Sequence, residues 1–392
     1  MATKRRPVKK VARRSSRAVR ALAAAEAVVH DDLNMAAASL LYDMAGLQAT
    51  QRSQFGYKRA AKAIIGLPVS VADLVTAGTL REIPFVGPAS ARIITEVVEQ
   101  GRSPSVEAAI EQSTRPSQLA SRRQFRGGYL SHFAMQGALG TPFGKGVVGR
   151  ADYRGDFQMH SAWSDGTERI ATMAQACMDL GHTCLGITDH SHGLPIARGI
   201  SMADVARQHT EIDKLNAKRE GRFRVFKGIE ANILADGNLD LHPDERAVFE
   251  FVVASPHSLL RRPDDQTARM IGAAGGAGVT ILGHPRGRIF NSRPGVTADW
   301  SRVFELASKR RVAIELDGNW HRQDIDFELA RHALDAGCIF ALDSDAHAIG
   351  ELRFSEYAIA HARLAGIPAT RVINCWSNEE LEEWMKERRA RP

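Results

Sequence analysis

The stretch that decides the fold class is residues 312–347, VAIELDGNWHRQDIDFELARHALDAGCIFALDSDAH. Two short apolar segments, VAIELDGN and CIFALDSDAH, lie on either side of an amphipathic stretch. A strand, a helix and a second strand in this order are typical of a parallel sheet, because parallel neighbours need a crossover connection. We therefore expect a βαβ unit here.

The same alternation runs through the chain from residue 151 onward. Five earlier apolar segments have the same character: YRGDFQMH, TCLGITDH, FRVFKGIE, FEFVVASPH and VTILGHP. Together with the first pair they give seven strand candidates, each followed by an amphipathic stretch of helical length. This pattern predicts an α/β fold, and it suits a (β/α) barrel better than an open sheet.

Residues that can bind metal ions stand where the candidate strands end. They are Gln158 and His160, Asp189 and His190, Glu230, His257, His284, Asp317, and Asp345 and His347. The C-terminal strand ends of a barrel open onto one face, so these side chains should meet there. Imidazoles and carboxylates without thiolates suit manganese or zinc, with magnesium as an alternative. The number of ligands predicts two or three divalent metal ions bridged by a carboxylate such as Glu230 or Asp345.

Metal pairs of this kind activate water and hold both oxygens of a phosphoester displacement, so no Ser or Cys nucleophile is needed. The segment GHPRGR places Arg286 and Arg288 beside His284. We expect both arginines to bind phosphate oxygens in the catalytic site, although an exposed basic loop is the alternative. Asp317 is expected to contact the substrate or to support the metal ligands.

The rest of the chain predicts three further regions before the barrel of residues 151–392. Residues 1–20, MATKRRPVKKVARRSSRAVR, carry nine Lys or Arg and no acid, which predicts a disordered tail that binds polyanions. A solubilising tail and a mitochondrial transit peptide are alternatives. Residues 21–110 read as short helices, and residues 111–150 as an extended Gly-rich linker. No apolar run is long enough for a membrane span, and no secretory segment follows Met1, so we expect a cytoplasmic protein.

The motifs GDFQMHSAWSDG, ITDHS, GIEANIL, SPHS, ILGHPRGR and DSDAH resemble, in order, those of the PHP (polymerase and histidinol phosphatase) family. The resemblance implies a distorted seven-stranded βα barrel with a trinuclear metal site that hydrolyses phosphoesters. It also implies eight ligands and a ninth position, Gln158, where the family has His. The eight are His160, Asp165, His190, Glu230, His257, His284, Asp345 and His347.

A second resemblance covers the helical region. The segments SQFGYKRAAKAI and AGTLREIPFVGPASARIITEVVEQG are similar to the N-terminal domain of bacterial family X DNA polymerases. It implies a small all-α domain with a helix-hairpin-helix, and a DNA contact through Pro84, Val86, Gly87 and Ala89. Phe85 stands where the hairpin usually has its first Gly, and Ile93 stands where the lyase Lys would fall. The Gly-rich segment between the two regions is too short for a polymerase core, so no polymerase activity is expected.

These patterns favour a metal-dependent phosphoesterase that acts on DNA, as a 3′–5′ exonuclease or a 3′-end processing enzyme in DNA repair. One alternative is a non-catalytic DNA-binding scaffold with a degenerate barrel, and another is a small-molecule phosphatase of the histidinol-phosphate type. The neutral amide oxygen of Gln158 is a weaker ligand than imidazole. Because the other eight positions are intact, we expect an active site with one weakened metal ion. The sequence indicates no protein partner.

Overall fold

The computed structural model describes residues 28–29, 32–114, 116–219 and 221–390. The predicted basic tail of residues 1–20 lies outside the described residues. Within these ranges no helix combines the length and the apolar character that crossing a membrane requires.

Helices dominate the first part of the chain, and strands alternate with helices from residue 184. The helices before the first strand are α1 (Leu33–Leu47), α2 (Gln51–Ile65), α3 (Val71–Ala77), α4 (Pro88–Gln100), α5 (Pro104–Glu111), α6 (Pro116–Gln124), α7 (His132–Gly140) and α8 (Ile170–Asp179). The strands are β1 (Cys184–Ile187), β2 (Arg224–Asn232), β3 (Phe251–Ser255), β4 (Ile281–Leu282), β5 (Ala313–Asp317) and β6 (Ile339–Asp343). The later helices are α9 (Met202–Lys218), α10 (Pro243–Arg246), α11 (Thr267–Gly275), α12 (Trp300–Arg310), α13 (Phe327–Asp335), α14 (Ser355–Ala365) and α15 (Asn378–Ala390).

The six strands form one sheet in the order β1-β2-β3-β4-β5-β6, and every neighbouring pair is parallel. The prediction of an α/β fold is confirmed, but the seventh strand is not. Its segment contributes a single bridge, between Met159 and Ala346. In this segment, side-chain oxygens accept backbone hydrogen bonds that a neighbouring strand would otherwise accept. Phe157 N donates to Asp343 Oδ1 at 2.8 Å, and Met159 N donates to Thr188 Oγ1 at 3.0 Å.

Apolar side chains near the N-terminal ends of the strands form a core against the sheet. Phe226, Phe251 and Ile281 are fully buried in one apolar cluster that also contains Trp384 of α15. The ring of Phe251 fills space that Gly186 and Gly228 leave open, because a Cβ on Gly228 would lie 2.3 Å from this ring. The C-terminal helix α15 thus packs against the strand starts, at the end opposite the predicted metal ligands.

Residues 111–150 are not the extended linker that their glycine content predicts. They include helices α6 and α7, and Ser131 caps α7 by accepting a hydrogen bond from Ala134 N at 3.2 Å. Leu130 and Met135 are buried in the same apolar cluster as strands β5 and β6. Packing on the barrel therefore overrides the local composition.

The predicted helix-hairpin-helix is not confirmed as such. Its first helix is only a 3₁₀ turn, Leu80–Glu82, and its second is α4. Phe85 in the intervening turn has a φ of 70° and is 61% exposed. A left-handed backbone is costly for a bulky residue, which explains why this turn type usually has Gly there.

A buried arginine links the helical region to the part of the chain that carries the sheet. Arg126 donates to Asp43 of α1 at 2.9 Å and to Asn291 of the barrel at 2.7 Å. The Tyr42 and Phe290 rings meet edge to face at 5.5 Å beside it. The Arg126 guanidinium and the Asp43 carboxylate are both buried, so Arg126 depends on Asp43 for charge compensation, while Asp43 also pairs with Arg123 at 2.7 Å.

We predict that Asp43→Ala lowers the free energy of unfolding by about 3–5 kcal/mol, because Arg126 is then left buried without its carboxylate. Urea denaturation of the full chain measures this change. Asp73→Ala, at an exposed position of α3, should cost less than about 1 kcal/mol. Equal stability of the two variants would contradict the assignment of this pair as the joint between the two regions.

Candidate metal centre

The predicted ligands come together at the C-terminal ends of the strands. Glu230 lies two residues before the end of strand β2, His190 follows β1, and His257 follows β3. His284 follows β4, while Asp345 and His347 follow β6. His284 and Asp345 have φ angles of 20° and 52°, so the backbone is strained where it presents these side chains.

One group of ligand atoms surrounds Asp165. His160, Asp165, His190 and His347 each offer an atom, and these four atoms lie within 4.8 Å of one another. Asp165 Oδ1 is 3.6 Å from His190 Nε2 and 3.4 Å from His347 Nε2. The His160 ring stacks between those of His190 and His347, with centroid distances of 4.3 and 4.2 Å.

A second group surrounds Glu230, whose side chain is fully buried. Its Oε2 lies 2.8 Å from His190 Nδ1, and its Oε1 lies 2.9 Å from His284 Nε2 and 3.5 Å from His257 Nε2. His190, Glu230 and His257 also have ligand atoms within 4.8 Å of one another. His190 belongs to both groups, so the two potential ion positions are adjacent.

The two groups fit divalent metal ions. Both oxygens of Glu230 and both ring nitrogens of His160, His257 and His284 are buried, and in the described part of the chain their close contacts with one another lack hydrogen-bond geometry. Buried polar atoms are rarely left unpaired, and each such atom needs an explanation. Lone pairs of imidazoles and carboxylates that converge on one space are the donor set that zinc and manganese prefer. The prediction of divalent metal ions at this face is supported.

Gln158 is the variant position. Its side chain is fully buried, and neither its oxygen nor its nitrogen has a hydrogen-bond partner among the described residues. It lies two residues before His160 on an extended segment, which places both side chains on the same face. An amide left unpaired beside the metal ligands is consistent with an oxygen ligand at this position.

Charges within the centre are strongly coupled. Burial alone would raise the pKa of Asp165, but the His347 and His160 imidazoles lower this pKa to about 2. Burial alone would lower the pKa of His347, but the carboxylates of Asp165 and Asp345 raise it to about 10. Burial also opposes ionisation of Glu230, and the imidazoles of His190 and His257 hold its pKa well below the usual range. The carboxylates are thus ionised and ready to bind cations.

The loop that carries Asp165 is held by Asp189, which the strand-end pattern placed among the residues that can bind metal ions. Asp189 accepts hydrogen bonds from Ser161 N at 2.8 Å, Ser164 Oγ at 2.5 Å and Gln208 Nε2 at 2.6 Å. Gly166 closes the loop, because a Cβ there would lie 2.4 Å from the His160 carbonyl oxygen. This close approach explains the Ser-Asp-Gly sequence after His160.

Arg322 is the arginine closest to the ligands, and sequence reasoning missed it. Its Nη2 lies 3.2 Å from Asp345 Oδ2, and its Nε lies 3.6 Å from Asp317 Oδ2. Asp317 is buried, and this arginine lies between its carboxylate and that of Asp345. The signal was present in the sequence, because Arg322 follows the β5 strand end as Arg286 follows the β4 strand end.

The structure places Arg288, predicted to bind phosphate, in a buried network of contacts within the chain. Its side chain is 4% exposed, and its guanidinium is stacked 4.1 Å from the Tyr129 ring. Its donors go to the Asp326 carboxylate and to the carbonyl oxygens of Gly127, Gly128, Arg322 and Gln323. Arg286 is more open, with 26% of its side chain exposed and a contact of 3.5 Å to Asp326. Only Arg286 of this pair remains available to a substrate.

A layer of buried carboxylates lies beneath the ligands. Glu315 of β5 accepts a hydrogen bond from His284 N, and Asp343 of β6 accepts one from Phe157 N. Burial, together with repulsion from Asp343 for Glu315 and from Asp156 for Asp343, raises the pKa of both groups well above the usual value. Protonated carboxyl groups there can orient the backbone of the ligands without adding negative charge.

No family model matches the chain. The chain is 36% identical over 234 residues to the DNA polymerase/3′-5′ exonuclease PolX of Bacillus subtilis. The aligned residues cover 59% of this chain and 41% of PolX. It is 31% identical over 134 residues to a protein named as a probable phosphatase in Vibrio atlanticus, covering 31% of this chain and 52% of that protein. The resemblance to the PHP family is confirmed.

A third relative, named as a probable phosphatase in a Thermoanaerobacter species, is 28% identical over 233 residues, which cover 57% of this chain and 89% of that protein. The chain matches less than two thirds of the length of PolX and of the Vibrio protein. Among solved structures, a histidinol phosphate phosphatase of Lactococcus lactis, complexed with zinc, L-histidinol and phosphate, has a TM-score of 0.40. It is 15% identical and covers 54% of this chain and 94% of its own.

We predict that Gln158→His strengthens the binding of one ion by about 10–100-fold, because imidazole replaces a weaker neutral amide. Zinc competition against a chromophoric chelator measures the affinity, and elemental analysis measures the number of bound ions. Gln175→His on the outer helix α8 is the matched control. An affinity unchanged by Gln158→His would show that this position does not contact an ion.

We also predict that Arg288→Met destabilises the chain by about 3–5 kcal/mol, because Asp326 loses its buried partner. Arg302→Met, at an exposed position of α12, should change stability by less than about 0.5 kcal/mol. Thermal and urea denaturation compare the two variants. A fully stable Arg288→Met protein would restore the phosphate-binding interpretation of this residue.

Proposed function

We propose that the chain is a metal-dependent phosphoesterase that acts on DNA, as a 3′–5′ exonuclease or a 3′-end processing enzyme. The observation that carries the proposal is the convergence of buried imidazoles and carboxylates at the strand ends, where the ligand atoms of each group lie within 4.8 Å of one another. The relationship to an exonuclease and to phosphatases supports phosphoester hydrolysis. The nine predicted ligand positions, Gln158 included, are part of this proposal.

The centre is open on one side, which suits a substrate that approaches from solvent. The side chains of Asp165 and His347 are 31% and 27% exposed, whereas those of His160 and Glu230 are fully buried. Divalent ions in such a site supply activation of water and neutralisation of phosphate charge. His160 and Glu230 would hold them from below, while Asp165 and His347 would lie at the substrate side.

The chain's own residues would fix the geometry of this reaction. Asp189 holds the loop of Asp165 through three hydrogen bonds from Ser161 and Ser164, and Arg322 orients the Asp345 carboxylate. Arg286, the more exposed arginine of the GHPRGR loop, would bind a non-bridging phosphate oxygen. Asp317 would act as a positioning residue by holding Arg322.

DNA is the proposed substrate because of the helical region that precedes the barrel. The turn of Pro84, Val86 and Gly87 leads into the N-terminus of α4, where Gly87 is the cap residue and Ala89 is exposed. Free backbone N–H groups at a helix N-terminus bind phosphate. We include this turn, the basic tail of residues 1–20 and the division of the chain at residues 110 and 150 in the proposal.

A nuclease assay tests the proposal. End-labelled single-stranded and 3′-recessed DNA are incubated with chelator-stripped protein resupplied with manganese, zinc or magnesium. We expect metal-dependent shortening from the 3′ end, and Asp345→Ala should lower the rate by at least about 100-fold, because it removes a ligand. Loss of cleavage in Asp345→Ala rules out copurifying nucleases, and Asp335→Ala, at the end of α13, should cleave at the rate of the unchanged chain.

Two other outcomes would contradict the proposal in different ways. DNA binding without cleavage under any of the three metals would favour the non-catalytic scaffold. Rapid hydrolysis of a small phosphate ester with no action on DNA would favour a small-molecule phosphatase.

A further inference from the structure

A cleft lies between helix α2 and the barrel, outside the metal centre. It has a volume of about 450 Å³, which is within the range of small-molecule sites. Ile65 of α2, Trp320 of the β5 loop and Tyr357 of α14 give it apolar walls, while Lys62 and Arg353 lie at its exposed rim. The combination of aromatic walls and cations suits a nucleotide, which has a flat base and an anionic phosphate.

The positive charge of the cleft is available to a ligand. Neither Lys62 nor Arg353 has an ion-pair partner within the described ranges, and the Lys62 ammonium lies 5.1 Å from the centre of the Trp320 ring. The carboxylate of the cleft, Glu356, is paired with Arg150 at 2.7 Å. The cleft therefore keeps a net positive rim.

A basic helix face leads into this cleft. Arg52, Phe55, Arg59 and Lys62 follow one another along α2 at spacings of three and four residues, which places them on one face. All four are exposed, and Phe55 is 56% exposed. Exposed aromatic and basic side chains in alternation are the surface that single-stranded nucleic acid recognises, by stacking of bases and pairing of phosphates.

The α2 face connects the hairpin turn to the metal centre. In the second half of α2, the Arg59 guanidinium lies 5.3 Å from the centre of the exposed Phe85 ring. About one turn further along α2, the Lys62 ammonium lies 5.1 Å from the centre of the Trp320 ring, and Arg322, two residues after Trp320, lies 3.2 Å from Asp345. A strand that follows this face would thus run from the turn towards the metal ligands.

We propose that the α2 face and the Trp320 cleft form a binding track for single-stranded nucleic acid, which positions the strand end for the metal centre. Arg59 and Lys62 would pair with successive phosphates, and Trp320 would stack on a base. This inference rests on the proposed function, because it gives the metal centre a polynucleotide substrate. It also selects single-stranded ends over internal duplex sites.

Binding of a fluorescently labelled oligothymidylate to the full chain tests the track. The oligonucleotide is about twelve nucleotides long, within the site size of such grooves, and the buffer contains chelator so that hydrolysis does not occur. The double variant Arg59→Glu/Lys62→Glu is compared with Lys214→Glu/Lys218→Glu, which makes the same charge change on the outer helix α9. Circular dichroism and thermal melting confirm that each variant is folded.

We expect the α2 variant to weaken binding by about tenfold or more relative to the α9 variant. The slope of log affinity against log salt should become shallower by about 1.4, since two phosphate contacts are lost at about 0.7 each. Trp320→Ala should weaken binding by about fivefold or more, and Trp320→Phe should retain most of the affinity because it keeps a stacking ring.

Equal affinity and equal salt slope for the α2 and α9 variants would overturn the track. This result is separable from failure of the proposed function, since binding is measured without turnover. A chain that binds through α2 but never cleaves DNA would retain the track and lose the nuclease. A chain that cleaves DNA with equal affinity in both charge variants would retain the nuclease and lose the track.

Discussion

The structure of the candidate site depends on the charge of one buried carboxylate. Glu230 has no access to solvent, and a carboxylate in such a place is costly unless positive charge and ligands surround it. The imidazole rings that surround Glu230 follow three strands, and they are those of His190, His257 and His284. The remaining unpaired lone pairs have no protein partner in the described ranges, which leaves divalent cations as the groups that complete the site.

The sheet has an apolar end, where the strands begin, and a polar end, where the candidate ligands lie. Phe226, Phe251 and Trp384 fill the end where the strands begin, so the opposite end can be polar without losing its apolar support. The short, strained exits at His284 and Asp345 turn the backbone away from the sheet and aim these side chains inward. Beneath the ligands, the buried carboxyl group of Glu315 accepts a hydrogen bond from His284 N and so holds the backbone of that ligand.

The ligands were predictable from sequence because they obey a local rule. A residue at the end of a parallel strand points to the same face as residues at the ends of its neighbours, so His160, Glu230 and Asp345 needed no knowledge of packing. Arg288 and Arg322 did not obey such a rule. Their roles depend on partners such as Asp326, 38 residues away for Arg288, and Asp345, which only the folded chain brings near. The helices of residues 116–140 were missed for the same reason, because burial against the barrel outweighs their glycine content.

The central claim is that the groups around Glu230 and Asp165 hold divalent ions in adjacent positions. Anomalous diffraction from crystals of the full chain grown with manganese or zinc, recorded at the absorption edge, tests it most directly. The account predicts at least two peaks, one among His160, Asp165 and His347 and another beside Glu230 and His257. An anomalous map without peaks at these side chains, in crystals that contain the metal, would contradict it.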